Sequence, residues 1–228
     1  MVDLIIIIMM LLFIIVGYKK GLIKELITFS SSLIALVLAF IVYPVINALL
    51  KLTALYTIIY TGVLGRIEKI EFGKGLQTQG KAIVEQITWL PKVLTEQIKD
   101  NNNTAMYELL GVHTLEEYIS TYITQMIISL IAILVTWFLI KVILVLVLKM
   151  VGSIVEHLPI ISGFNHLGGG IIGTIKGVLT LSILALLVPV MLTIPSLSEL
   201  GMNLETSYLL DFIYKHNLVI ELYHYFLM

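Results

Sequence analysis

The sequence predicts an all-α, multi-pass membrane protein with about four transmembrane helices and a helical extracytoplasmic insertion. Three observations predict it. Of 228 residues, 59% are hydrophobic and 13% charged, against roughly 45–50% and about 25% in an ordinary soluble domain. The mean hydropathy is +1.03, and so much apolar surface needs lipid to face. The apolar residues gather into four stretches, and most of the charges gather in one segment between the second and third.

The first stretch runs from Leu4 to Val16 and is followed by the basic turn Gly17-Tyr18-Lys19-Lys20-Gly21. It is short for a bilayer core that takes roughly 20 helical residues, so it spans only with Tyr18 and the lysines reaching the interface. Met1-Val2-Asp3 lacks the basic start of a secretory signal, which predicts that this stretch is retained. The second stretch runs from Leu26 to Tyr43, where Pro44 is expected to end it; the third from Tyr122 to Leu148; and the fourth from Leu167 to Leu192. These divide the chain into a first helix pair (1–45), an insertion (46–118), a second helix pair (119–195) and a tail (196–228).

Lysines in short loops resist translocation. Lys19, Lys20 and Lys24 crowd the first connection, and Lys141 and Lys149 lie near the third. Those two loops are therefore expected inside, with both termini and the central segment outside. In that segment, charges of both signs intersperse as on a solvated surface. Ile83, Ile87, Leu90, Leu94 and Ile98 recur at helical spacing and predict one amphipathic helix, kinked at Pro91 and ended by Asn101-Asn102-Asn103. Gly73, Gly75 and Gly80 are expected in turns. Thr114-Leu115-Glu116-Glu117 matches a capping box, which predicts a helix running from there through the third stretch, longer than the bilayer is thick.

Gly169, Gly173 and Gly177 repeat every four residues along one helix face. Between membrane helices, small residues permit the close approach that drives association. Ser31, Ala35 and Ala39 carry the same spacing in the second stretch and are expected to be the mate, within one chain or between copies. Lys176 lies deep in the fourth stretch, where a bare ammonium costs roughly 2.5–3.5 kcal/mol. It is expected either to snorkel or to face a polar cavity or lipid headgroup, and Lys141 to snorkel. Lys19 and Lys20 are candidates for gripping anionic headgroups.

With no cysteine, thiolate chemistry is excluded, and a net charge of −1 gives no field toward nucleic acid. The five histidines form no metal motif: His157 and His166 flank a turn, and Glu221 with His224 is half of a carboxylate-bridged site without its other half. The turn through Pro159, Ser162 and Gly163 has no nucleophile-elbow context, and Gly168-Gly169-Gly170 lacks the strand and the Lys-Ser/Thr of a phosphate loop. No enzyme, cofactor or metal is expected.

Two motifs together resemble the colicin V production protein family of bacterial membrane proteins. One is Asp3, an apolar run, then Gly17-Tyr18-Lys19-Lys20-Gly21-Leu22-Ile23-Lys24-Glu25-Leu26; the other is Phe164-Asn165-His166-Leu167-Gly168 followed by Gly169, Gly173, Lys176 and Gly177. The resemblance implies a bacterial cytoplasmic-membrane protein implicated in producing or exporting a peptide toxin and in envelope maintenance. Gly17, Lys20, Gly21, Glu25, Asn165, Gly169, Gly173, Lys176 and Gly177 are the residues it marks. Two functions follow as expectations. One is a non-enzymatic factor acting through the bilayer and a membrane or export-machinery partner. The alternative is a homo-oligomeric channel or transporter whose glycine helix, bearing Lys176, lines the pathway.

Overall fold

The computed structural model describes residues 2–151, 164–197 and 206–227, and side chains for all but a few of these. The expected turn at Pro159, Ser162 and Gly163, with Glu156, His157, Glu199 and Glu205, lies outside them. Among the described residues there is no strand. Eleven α-helices are described: α1 Val2–Lys20, α2 Leu22–Lys51, α3 Ala54–Ile67, α4 Leu76–Gln86, α5 Lys92–Asp100, α6 Thr104–Leu110, α7 Leu115–Val151, α8 Phe164–Ala185, α9 Leu187–Thr193, α10 Tyr208–Lys215 and α11 Leu218–Leu227. Four segments are long and apolar enough to cross a membrane: Val2–Lys20, Leu22–Lys51, Leu115–Val147 and Phe164–Thr193. The chain is a multi-pass membrane protein. At 19 residues, α1 is roughly 28 Å long, close to the thickness of the hydrocarbon.

Each span exceeds the apolar stretch that announced it. Pro44 does not end α2, which continues to Lys51. A membrane helix tolerates proline where neighbouring groups re-satisfy the backbone, and seven further helical residues follow here. The capping box forms as its sequence predicts: the Glu117 N–H donates to Thr114 Oγ1 at 3.1 Å, and the Thr114 and His113 N–H groups donate to Glu117 Oε2 at 3.3 and 2.9 Å. From it α7 runs 37 residues, roughly 55 Å.

The chain divides into two compact units, Met1–Ile46 with Ala132–Leu184, and Asn47–Ile131 with Ala185–Met228. In the second unit the expected single kinked helix is two helices. Pro91 removes a backbone donor and would clash with the carbonyl four residues back, so α4 ends at Gln86 and α5 begins after Pro91. The apolar stripe nonetheless serves as one core: Ile83, Ile87, Leu90, Leu94 and Ile98 are all buried. Gly73 and Gly75 take positive φ in the turn before α4, whereas Gly80 sits inside α4 against the Lys99 stem. Asn101 follows the end of α5, and Asn103 caps α6 by accepting from the Met106 N–H. The tail folds onto this core, with Tyr214, Val219, Ile220 and Tyr223 buried, a Tyr214 hydroxyl bond to the Trp89 carbonyl, and a Gln97–His224 contact.

Candidate functional site

The first unit joins α1 to α2 through one non-helical residue, Gly21, at φ +81°. That conformation is open to glycine and costs other residues roughly 1–2 kcal/mol. The basic turn is thus tighter than its sequence suggests, since Gly17 through Lys20 belong to α1. Gly17 is buried, and its place in the fold is against α8.

The glycine stripe of α8 meets α1. A methyl built on Gly169 would run into the Gly17 carbonyl oxygen, and one on Gly173 into the Phe13 carbonyl oxygen. One on Gly177 would lie 2.9 Å from the Met10 sulfur and 3.2 Å from the Phe13 Cβ. The mate of Gly169, Gly173 and Gly177 is therefore the Phe13–Gly17 backbone, and the expected pairing with Ser31, Ala35 and Ala39 is corrected. The physical reason is reciprocity: Gly17 offers a bare backbone of its own, so two helix backbones meet with no Cβ between them at that point, closer than a Ser or Ala face allows. Each glycine gives up roughly 1 kcal/mol of helix propensity in water, which the contact offsets. Ser31, Ala35 and Ala39 are buried on α2. Beside them the Trp137 Nε1–H of α7 donates to the Ser32 carbonyl at 3.3 Å, and the Lys141 ammonium lies 4.4 Å over the Trp137 ring.

Lys176, one residue short of Gly177, is held in an ion pair within the first unit. Its ammonium donates to Glu25 Oε1 at 2.6 Å and to Thr28 Oγ1 at 3.4 Å. Glu25 is 1% exposed and Lys176 12%. The second Glu25 oxygen lies 3.5 Å from the Lys20 ammonium, whose side chain is 42% exposed. One carboxylate thus holds two ammonium groups, from the end of α1 and the middle of α8. The attraction between them is strong because both partners are desolvated, and a lone charge there would be strongly unfavourable. Thr28 is fixed in turn by donating its hydroxyl to the Glu25 carbonyl at 2.9 Å. Lys19 is exposed at the end of α1.

The first turn of α8 closes the arrangement over Gly21. The Ile23 N–H donates to Asn165 Oδ1 at 3.4 Å, and the Asn165 side-chain amide fills the space where a Gly21 side chain would go. His166 Nδ1 lies 2.7 Å from the Tyr18 carbonyl oxygen. A carbonyl only accepts, so Nδ1 carries the proton. The Tyr18 and His166 rings are 5.3 Å apart.

Two motifs about 140 residues apart therefore form one cluster: Gly17, Lys20, Gly21 and Glu25 against Asn165, His166, Gly169, Gly173 and Lys176. Sequence reasoning marked Glu25 only through the resemblance and assigned it no partner. A signal was present, because between Leu4 and Ile67 Glu25 is the only acid, and neither the third nor the fourth apolar stretch contains one. Lys176 needed a counter-ion, and Glu25, in the first turn of α2 beside the basic connection, was the acid at hand. Chemically the cluster is an electrostatic and steric clasp. Among the described residues, no group of three or more His, Asp or Glu side chains converges as a metal site would require.

A family model described as colicin V production protein matches residues 2–67 and 105–217. The match contains the whole clasp and omits α4 and α5. No curated protein matches the chain, and no solved structure does.

Proposed function

Because the chain belongs to the colicin V production protein family, we propose that it is a non-enzymatic factor of the bacterial cytoplasmic membrane that supports production or export of a colicin V-type peptide toxin, and envelope maintenance, through protein partners. The observation that carries this reading is that the matched motifs spend themselves on each other. The α8 glycines face α1 of the same chain, and Lys176 is neutralised by Glu25. Both features that favoured a pore-lining helix are thereby accounted for within one subunit, so the channel reading loses its motive.

The lysines of the first connection, Lys19, Lys20 and Lys24, support a cytoplasmic position for it. Both termini and the helices α3–α6 then face outward, as the surface offered to partners. The test uses cells secreting a colicin V-type peptide, with the wild-type protein, a deletion, and photo-crosslinkers at Leu109 and Tyr208, which are 77% and 90% exposed. Loss of secreted toxin on deletion, with a crosslink to an export component, is the expected result. Unchanged secretion with no crosslinked component would remove the proposal.

A further inference from the structure

In the second unit, α3 and α9 form one wall of a half-open cleft of about 560 Å³ that also takes in Gln86 and Trp89. The two helices come together at Gly62, where any side chain would collide with the Thr193 carbonyl. The cleft volume falls within the roughly 300–1,000 Å³ typical of small-ligand sites. Its floor is apolar at Ile70 and Leu192, and Gly65 leaves bare backbone beside them with no atom near the space a side chain would occupy. Among the described residues its polar side carries two cations, Arg66 and Lys69, and no acid. The Arg66 guanidinium lies 5.6 Å over the Trp89 ring, which orients it while leaving its donors unspent among the described residues. Among the described residues neither cation has a carboxylate within ion-pair distance.

The depth of this cleft follows from chain continuity. Leu192 and Thr193 close a candidate span of 30 residues, Phe164–Thr193, roughly 45 Å at 1.5 Å per residue, against about 30 Å of hydrocarbon. The end of that span therefore reaches the headgroup layer. On the same wall, α3 is a 14-residue apolar helix, too short to cross, that starts after only Leu52 and Thr53 beyond the end of α2. A tryptophan, an arginine and a lysine around an apolar floor suit that layer, where amphipathic side chains accumulate.

We propose that this cleft binds the phosphate headgroup of an anionic phospholipid, with Arg66 and Lys69 on the phosphate and Ile70, Leu192 and Trp89 against the glycerol and upper acyl chain. Arg66 supplies planar, paired donors and Lys69 a point charge, the complement of a phosphodiester. Lys69, Ile70, Gln86 and Trp89 lie outside the stretches matched by the family model, while Arg66, Leu192 and Thr193 lie inside them; the proposal does not rest on the toxin-related reading.

The experiment is native mass spectrometry of the delipidated full chain in detergent, titrated with dioleoyl phosphatidylglycerol, with the phosphatidylcholine of the same chains, and with inorganic phosphate. Phosphatidylglycerol is expected to give a saturable adduct that phosphatidylcholine does not, and the R66Q/K69Q variant to weaken it roughly thirtyfold. The K74Q/K81Q variant loses the same charge at two exposed lysines away from the cleft and should bind as wild type. Equal weakening in both variants would reduce the effect to net charge and overturn the proposal. So would equal binding of the two lipids. Displacement of the adduct by millimolar inorganic phosphate would assign the site to free phosphate and overturn the lipid source.

Discussion

Replacing Glu25 by Gln leaves the Lys176 ammonium 12% exposed, with the Thr28 hydroxyl at 3.4 Å as its remaining hydrogen-bond partner among the described residues and the like-charged Lys20 close by. Removing one member of a buried pair costs about 3–5 kcal/mol, and E25Q should fall in that range. Lys176→Met should cost less, about 2–3 kcal/mol, because Glu25 keeps Lys20 at 3.5 Å and that lysine is 42% exposed. The double variant E25Q/K176M removes the buried charges together and should lie within about 2 kcal/mol of wild type. The order E25Q, then K176M, then the double variant is specific to this geometry. The assay is reversible unfolding in mixed micelles with a rising fraction of denaturing detergent, analysed as a double-mutant cycle. A coupling of at least about 3 kcal/mol is expected, large for neighbouring residues. Additive single costs, or an E25Q cost under about 1 kcal/mol, would refute the pair and return Lys176 to a snorkelled state.

Three further outcomes follow from the geometry. Met10→Cys with Gly177→Cys, in a chain without native cysteine, should crosslink within one polypeptide on oxidation; a dimer band in its place would move the glycine face between subunits. Gly21→Ala should destabilise through its positive φ and through Asn165, and adding Asn165→Ala should recover the steric part, leaving about 1–2 kcal/mol of backbone strain; no recovery in the double variant would dissociate the two residues. Thr114→Ala should cost about 1 kcal/mol in the same unfolding assay, since it removes an N-cap acceptor at 3.1 Å, and an unchanged midpoint would mean that the cap contributes nothing measurable to α7.

The helices that stood clearest in the sequence were those governed by local chemistry. Thr114 and Glu117 specify a helix start through bonds spanning three residues, and a proline at 91 breaks a helix wherever its preceding carbonyl would be struck. Pro44 shows the limit of that rule, because the cost of a lost donor depends on neighbours that sequence order does not display. The buried stripe from Ile83 to Ile98 was visible as periodicity, yet whether it lay on one helix or two turned on the residues around Pro91.

By itself the sequence determined that lipid must cover this chain, how many segments could cross it, and that Lys176 carried a charge requiring an answer. Those follow from composition, length and the cost of a bare charge in hydrocarbon, none of which needs coordinates. Only the tertiary structure decided that the answer is Glu25, and that the glycines of α8 face Gly17 and Phe13 rather than Ser31, Ala35 and Ala39. Helix periodicity fixes which side chains share a face, but it carries no information about which other face arrives there. That choice is made when backbone approach and charge pairing are satisfied together, between residues more than a hundred positions apart.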